Sequence, residues 1–224
     1  MSFSGFTAEA PRFLFENKMN NSKEWYDSHK AEYKKYVYNP MAELIVELAP
    51  SITEMDDKLI TVPSKLISRV RRDTRFTKDK SLYRDNVWFA FLRDKSQVAT
   101  APCFWFEISQ TGSTHGVGFY GAEPSVMVTM RRMILDRHPA FEAALECYES
   151  QKDFLIGGEM YKKSKFPDQA ENLKLWLDRK NIYFENLQKD FTLAFSKELP
   201  QILEKGFRQL KPVYDFLCVV QSQP

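Results

Sequence analysis

Apolar side chains in the first fifty residues recur at the three- and four-residue spacing of a helix. Phe13, Leu14 and Met19 define one such face, with Thr7 placed to cap it and Pro11 in its opening turn. Asn20-Asn21-Ser22 ends that helix and starts the next, where Asn21 and Glu24 have the form of a capping box. Trp25, Tyr26, His29, Tyr33 and Tyr36 then set aromatic rings along one helical face. Asn39-Pro40 either kinks this helix or caps a new one, because proline is tolerated in a first turn. Leu44, Ile45 and Leu48 carry the core face to Pro50.

The period changes after Asp57. Leu59–Val62 and Leu66–Val70 are rich in aliphatic and β-branched residues and predict extended chain. Val87–Leu92 is a continuous apolar run of strand length, and Ala101–Ser109 is a second strand. Thr111-Gly112-Ser113 signals a turn, after which Val117–Tyr120 returns antiparallel. No helix of crossover length separates these strands, which excludes a doubly wound parallel sheet. Helical spacing resumes at Pro124 with Val126, Met130, Met133 and Ile134, breaks at His138-Pro139, and restarts with Phe141, Ala144, Leu145 and Tyr148. Phe154 to Tyr161, with Gly157-Gly158 inside it, predicts a small hairpin or an extended turn. Leu173–Leu177 predicts a helix, Ile182–Phe184 an extended segment, and Phe191–Leu217 helices interrupted at Pro200 and Pro212. The expected fold is α+β, an antiparallel β-meander in the middle third packed by N-terminal and C-terminal helices. With no repeat, low-complexity tract or linker-like stretch, one globular domain over residues 1–224 is expected.

Composition narrows the class. Of the 224 residues 14% are aromatic, 18 of them Phe, enough for a thick core because each buried ring removes roughly 150–250 Å² from water. The opening Met-Ser-Phe-Ser-Gly-Phe-Thr has neither a basic nor an apolar region, and the longest apolar run falls far short of the roughly 20 residues needed to span a bilayer. A cytoplasmic protein away from the membrane is therefore expected. Cys103, Cys147 and Cys218 form no CxxC, and His29, His115 and His138 have no ligand spacing, so neither zinc nor a disulfide framework is indicated. The glycines contain no dinucleotide fingerprint, and no serine lies in a nucleophile elbow.

Charge points to one stretch. Residues 65–84 hold eight cations (Lys65, Arg69, Arg71, Arg72, Arg75, Lys78, Lys80, Arg84) against Asp73 and Asp79, a local +6. The whole chain is only +2, so the remainder is mildly acidic, unlike a general nucleic-acid coat. If Leu66–Arg72 is extended, Arg69 and Arg71 face one way and Val70 and Arg72 the other, and Asp73–Ser81 is the loop back to the strand at Val87. Two readings stand side by side. Guanidinium forks and ammonium groups gathered at a sheet end suit a phosphate or carboxylate. Alternatively, Asp73 and Asp79 neutralise their neighbours in a solvated loop, where each pair contributes about 0–1 kcal/mol.

Two motifs now resemble a known family. Phe13-Leu14, Asn20-Asn21, Trp25-Tyr26, Lys30 and Tyr33 form an N-terminal signature. Arg72-Asp73-xx-Arg75-Phe76-Thr77-Lys78-Asp79-Lys80-xx-Tyr83-Arg84 forms a central one. Together with Gly118-Phe119-Tyr120, Arg131-xx-Ile134 and Pro212-xx-Asp215-Phe216-Leu217, they resemble the widespread bacterial domain-of-unknown-function family 2461, conserved hypothetical proteins. Ser81-Leu82 stands where that family usually has Thr-Pro, Tyr26 where it has Phe, and Arg84 where it has Lys. The resemblance covers nearly the whole chain and implies a cytoplasmic single-domain protein. It supplies no activity, cofactor or oligomeric state.

The leading functional expectation is a small-molecule site for a phosphorylated or carboxylated ligand. Arg69, Arg72, Arg75, Lys78 and Lys80 supply anion contacts, and Tyr83 and Tyr120 line the pocket. Asp73 orients an arginine or acts as a base, and Arg131 reaches back to the sheet end. Catalysis is left open. The alternatives are nucleic-acid binding, ranked lower because the net charge is near neutral, or docking of an acidic protein partner on the same strip.

Overall fold

The computed structural model describes residues 2–75, 78–97 and 100–223; Phe76 and Thr77 of the central signature lie outside them. Helix α1 spans Glu9–Asn20 and α2 spans Lys23–Tyr33. Ser22, not Asn21, caps α2. Its Oγ accepts from Trp25 N at 3.2 Å and donates to the Glu24 carboxylate at 2.8 Å. Asn21 instead takes the left-handed conformation that ends α1 (φ 45, ψ 37), which asparagine tolerates better than most residues, and this frees Ser22 for the cap. Ala8 precedes α1 without a side-chain cap, and Thr7 lies just outside.

A π-helical turn over Lys34–Tyr38 joins α2 to α3 (Asn39–Met55). Asn39 N–H donates to Lys34 O, five residues back. The next residue, Pro40, has no N–H to give, so the widened turn carries the chain past it without a break. Pro50 likewise does not end α3, which runs on to Met55.

The segments expected to be extended at 59–62 and 66–70 form no regular strand. Pro63–Leu66 is a single helical turn, α4, with Pro63 in its first turn. Beyond it the chain runs antiparallel to residues 82–89 through two isolated bridges, Ile67 with Phe89 and Arg71 with Tyr83. The first side advances four residues between the bridges and the second side six. That bulge explains why no regular ladder forms, and Ser68 Oγ fills it by accepting from Trp88 N at 3.0 Å.

Strands β1 (Asn86–Phe91), β2 (Pro102–Ser109) and β3 (Gly112–Phe119) form the expected meander. The predicted hairpin at 154–161 is absent. Leu155–Gly157 forms β4 and pairs antiparallel with β5 (Tyr183–Gln188), and β5 in turn lies against β3. The sheet order among the described residues is β1-β2-β3-β5-β4. Glycines in β3 permit that pairing. A Cβ on Gly118, whose φ is +152°, would sit 2.4 Å from Tyr183 Cα. The remaining helices are α5 (Pro124–Leu135), α6 (Pro139–Glu149), α7 (Glu171–Leu177), α8 (Thr192–Phe195), α9 (Leu199–Gln209) and α10 (Lys211–Ser222). The protein is α+β, an antiparallel sheet in the middle of the chain with helices before and after it.

The chain divides into two compact units, each assembled from three segments. The first holds residues 1–91, 105–114 and 187–204. Its core is a chain of rings: Phe3 on Phe6, Phe6 stacked on Phe106 at 5.9 Å, Phe106 on Phe89, and Phe89 on Phe91. The second holds residues 92–104, 115–186 and 205–224. There α10 packs chiefly on α6 and α5, and Trp176, fully buried, meets Phe141, Tyr148, Phe184 and Phe216.

His115 of β3 is buried in the second unit with its ring edge-on to Phe154 and Phe207, and its Nδ1 has no partner among the described residues. Burial pulls its pKa from 6.5 down to about 4. Between those values the unfolded chain binds the extra proton, so this stability is complete above pH 6.5 and lost as pH falls towards 4. Urea unfolding at pH 7 and pH 4.5 checks this. The pH-dependent loss should shrink in His115→Phe by roughly 2–3 kcal/mol.

Candidate functional site

The basic run is a hairpin-like arm of the first unit, and its backbone follows the alternation read from the sequence. Arg84 N donates to Val70 O at 2.9 Å and Arg72 N to Leu82 O at 2.8 Å, so residues 70–72 and 82–84 are paired. Val70 is buried at 3% exposure while Arg69 and Arg71 project into solvent. Arg72, on the buried side with Val70, keeps its guanidinium largely covered.

Helices α1 and α2 hold this arm at three points. Asn21 Oδ1 accepts from Leu82 N at 2.6 Å. Lys18 Nζ lies 4.0 Å from Asp79. The Tyr26 ring stacks on Tyr83, centroids 5.1 Å apart, and buries it. The N-terminal and central signatures, some sixty residues apart in sequence, are thus one place in the fold. Behind Tyr26 the aromatic face continues: Trp25 packs on Phe13 and on His29, whose Nδ1 hydrogen-bonds to Trp25 O at 2.8 Å.

The charges in the arm are unevenly satisfied. Asp73 forms a bidentate pair with Arg75 (Nε 3.0 Å, Nη2 2.7 Å) and also accepts from Arg75 N. The side-chain pairing first, then the backbone bond, drops the Asp73 pKa to about 2. Asp79 accepts from Ser81 N at 2.9 Å and from Arg72 Nη1 at 3.1 Å. Ser81 first, then Arg72 and Lys18, hold its carboxyl below the usual carboxylate range. Lys80 Nζ donates to Thr74 O at 2.8 Å, and Lys78 is exposed. Arg69, Arg71 and Arg84 have no carboxylate partner among the described residues. Burial raises the Tyr83 and Tyr26 phenol pKa values, so both remain neutral.

Three polar groups here are buried without a protein partner among the described residues: Arg72 Nε, the Ser81 hydroxyl, and both amide atoms of Asn17. Ser81 Oγ lies beside the Asp79 carboxylate but outside normal hydrogen-bond geometry. Asn17 is fully buried one helical turn before Asn21, on the same face of α1. Sequence reasoning missed Asn17. The available signal was an amide one turn beyond Phe13 on an otherwise apolar face. It also left out Lys18 and Tyr26.

Two predicted site residues belong to the second unit. Tyr120 is 77% exposed at the end of β3, where Asn181 Nδ2 donates to its carbonyl. Arg131 of α5 spends its donors on Leu177 O (2.9 Å), Arg179 O (2.5 Å) and the Tyr161 hydroxyl, tying α5 to the end of α7. Among the described residues no His, Cys, Asp and Glu side chains gather in a group of three or more to hold a metal ion, and no helix is long and apolar enough to cross a membrane.

An α+β sheet protein with a basic arm held down by its N-terminal helices is the class these features define. The chain belongs to the family described as conserved hypothetical protein (DUF2461), which matches residues 9–216 and so includes both signatures. No curated protein matches the chain.

Replacing Asn21 separates its two jobs. Asn21→Gly keeps the left-handed backbone but loses the acceptor for Leu82 N, and should cost about 1 kcal/mol in urea unfolding. Asn21→Ala loses both, and should cost about 2–3 kcal/mol. The Asp73 carboxyl, followed by carbon-detected NMR, should titrate near pH 2 and move up towards its ordinary 3.8 in Arg75→Ala.

Proposed function

We propose that the chain binds a small phosphorylated or carboxylated ligand at the docked basic arm. The supporting observation is the state of Arg72. Its guanidinium is largely buried, one edge is engaged by Asp79 at 3.1 Å, and its Nε is left without a partner among the described residues, in an arm that also carries exposed Arg69 and Arg71 and half-buried Arg84. A buried donor left open costs about 1–3 kcal/mol, so an acceptor oxygen supplied by a ligand is favourable there. Charge assistance makes that bond one of the stronger kinds. Asp73 takes the orienting role in this reading, since a carboxylate that gives up its proton near pH 2 is a poor base at neutral pH. Arg75 and Lys80 are committed within the loop, which moves the anion contacts to Arg69, Arg71, Arg72, Lys78 and Arg84. In this reading the protein works in the cytoplasm, and no reaction is assigned.

Thermal unfolding in the presence of inorganic phosphate, a nucleoside monophosphate, a sugar phosphate and citrate tests the proposal. At least one should give saturable stabilisation, about 2.7 kcal/mol at a hundredfold excess over Kd. The double variant Arg71→Ala, Arg84→Ala, at sites with no carboxylate partner to lose among the described residues, should weaken it about tenfold or more without changing the unliganded midpoint. Lack of any saturable shift would sink the idea. Retention of nucleic acid with a steep salt dependence would replace it with the polyanion reading.

A further inference from the structure

A second polar concavity lies in the first unit, away from the basic arm in sequence. It has a volume of about 320 Å³ and lies where the β2–β3 turn meets the end of β5. Gly112 makes this junction possible. Its φ is +150°, and a Cβ there would sit 2.1 Å from Gln188 O, so only glycine lets β5 close on the turn. The turn is braced from within, Ser109 Oγ lying 3.2 Å from the Thr111 hydroxyl and donating to Gly112 O at 3.2 Å.

Ser113 lines this pocket, is 3% exposed, and carries a hydroxyl with no hydrogen-bond partner among the described residues. A buried hydroxyl without a partner is disfavoured, so its retention points to something that fills the pocket and completes it. The rest of the lining says what kind of molecule. Glu107 and Lys189 supply one charge of each sign, so no net anion or cation is selected. Thr111, Thr114 and Gln188 carry neutral groups that both donate and accept. Among the described residues the lining offers no aromatic ring or guanidinium, and Leu187 is its one sizeable apolar side chain. The volume stands at the small end of ligand pockets.

We propose that this pocket binds a small, uncharged, hydroxyl-rich ligand of the polyol or monosaccharide class, with the Ser113 hydroxyl as the buried contact. Isothermal titration with glycerol, myo-inositol and glucose, alongside glycine betaine and inorganic phosphate, tests it. At least one of the three polyols should bind saturably in the millimolar range. Ser113→Ala should weaken that binding about tenfold while leaving the unliganded protein as stable as wild type or more so, because the variant removes an unpaired buried group. The Arg71→Ala, Arg84→Ala double variant should bind the polyol normally, which keeps this site's outcome separate from that of the basic arm. The proposal falls if polyols give only the unsaturable stabilisation of an excluded osmolyte. It falls equally if Ser113→Ala binds as wild type does, or if betaine or phosphate binds in preference.

Discussion

The close approach of β5 to β3 is the constraint on which the sheet depends. β3 is the middle strand and is buried along nearly its whole length, so it must be covered on both edges and both faces. β2 covers one edge through a two-residue connection. The other edge waits for a segment more than sixty residues later, and that segment fits only where β3 has no side chain. Gly118 meets the Tyr183 backbone, and Gly112 meets Gln188 O. Any larger residue at either place would collide with main chain, which cannot rotate away. β4 then adds to β5 through three residue pairs and has no hairpin of its own.

The N-terminal helices work differently. Nothing in α2 is buried, although it carries Trp25, Tyr26 and Tyr33. Tyr26 is a bearing surface for the arm at 69–84, while Trp25 and Tyr33 pack on Phe13 of α1. That arm lacks a regular ladder, since the bulge beside Ser68 breaks it, and eight like charges near it oppose compaction. Tyr83 under Tyr26 and the Asn21–Leu82 bond supply what the ladder does not. The arrangement holds a group of cations at fixed spacing while neutralising only some of them. Asp73 and Asp79 serve Arg75 and Arg72, and the outer arginines stay open to solvent.

Most of the buried groups are aromatic or aliphatic, and the polar exceptions are informative. Asn17, Ser113 and His115 are each at or below 3% exposure with polar atoms unpaired, and Arg72 Nε joins them. His115 fits a structural part, a neutral imidazole boxed by phenyl edges. Arg72 and Ser113 are instead the groups on which the two binding proposals rest.

The sequence by itself determined most of the element types, the meander of β1 to β3 and the location of the charge, because these rest on local periodicity, turn residues and composition. Val87–Leu92 and Ala101–Ser109 are strands for those reasons, and the alternation of Arg69, Val70 and Arg71 between solvent and core is a period-two property of extended chain. Resemblance joined the two signatures by family, and only the tertiary structure joined them in space. Three outcomes needed contacts between residues far apart in the chain. Leu155–Gly157 became a partner of β5 rather than half of a hairpin. Arg131 turned to backbone carbonyls at the end of α7. Asn21 left its capping role to accept from Leu82. Each depends on which distant backbone group arrives at hydrogen-bond distance, a quantity that no local pattern encodes. The basic run was visible as charge, but which of its cations stay open was decided by where Asp73, Asp79, Lys18 and Thr74 came to rest.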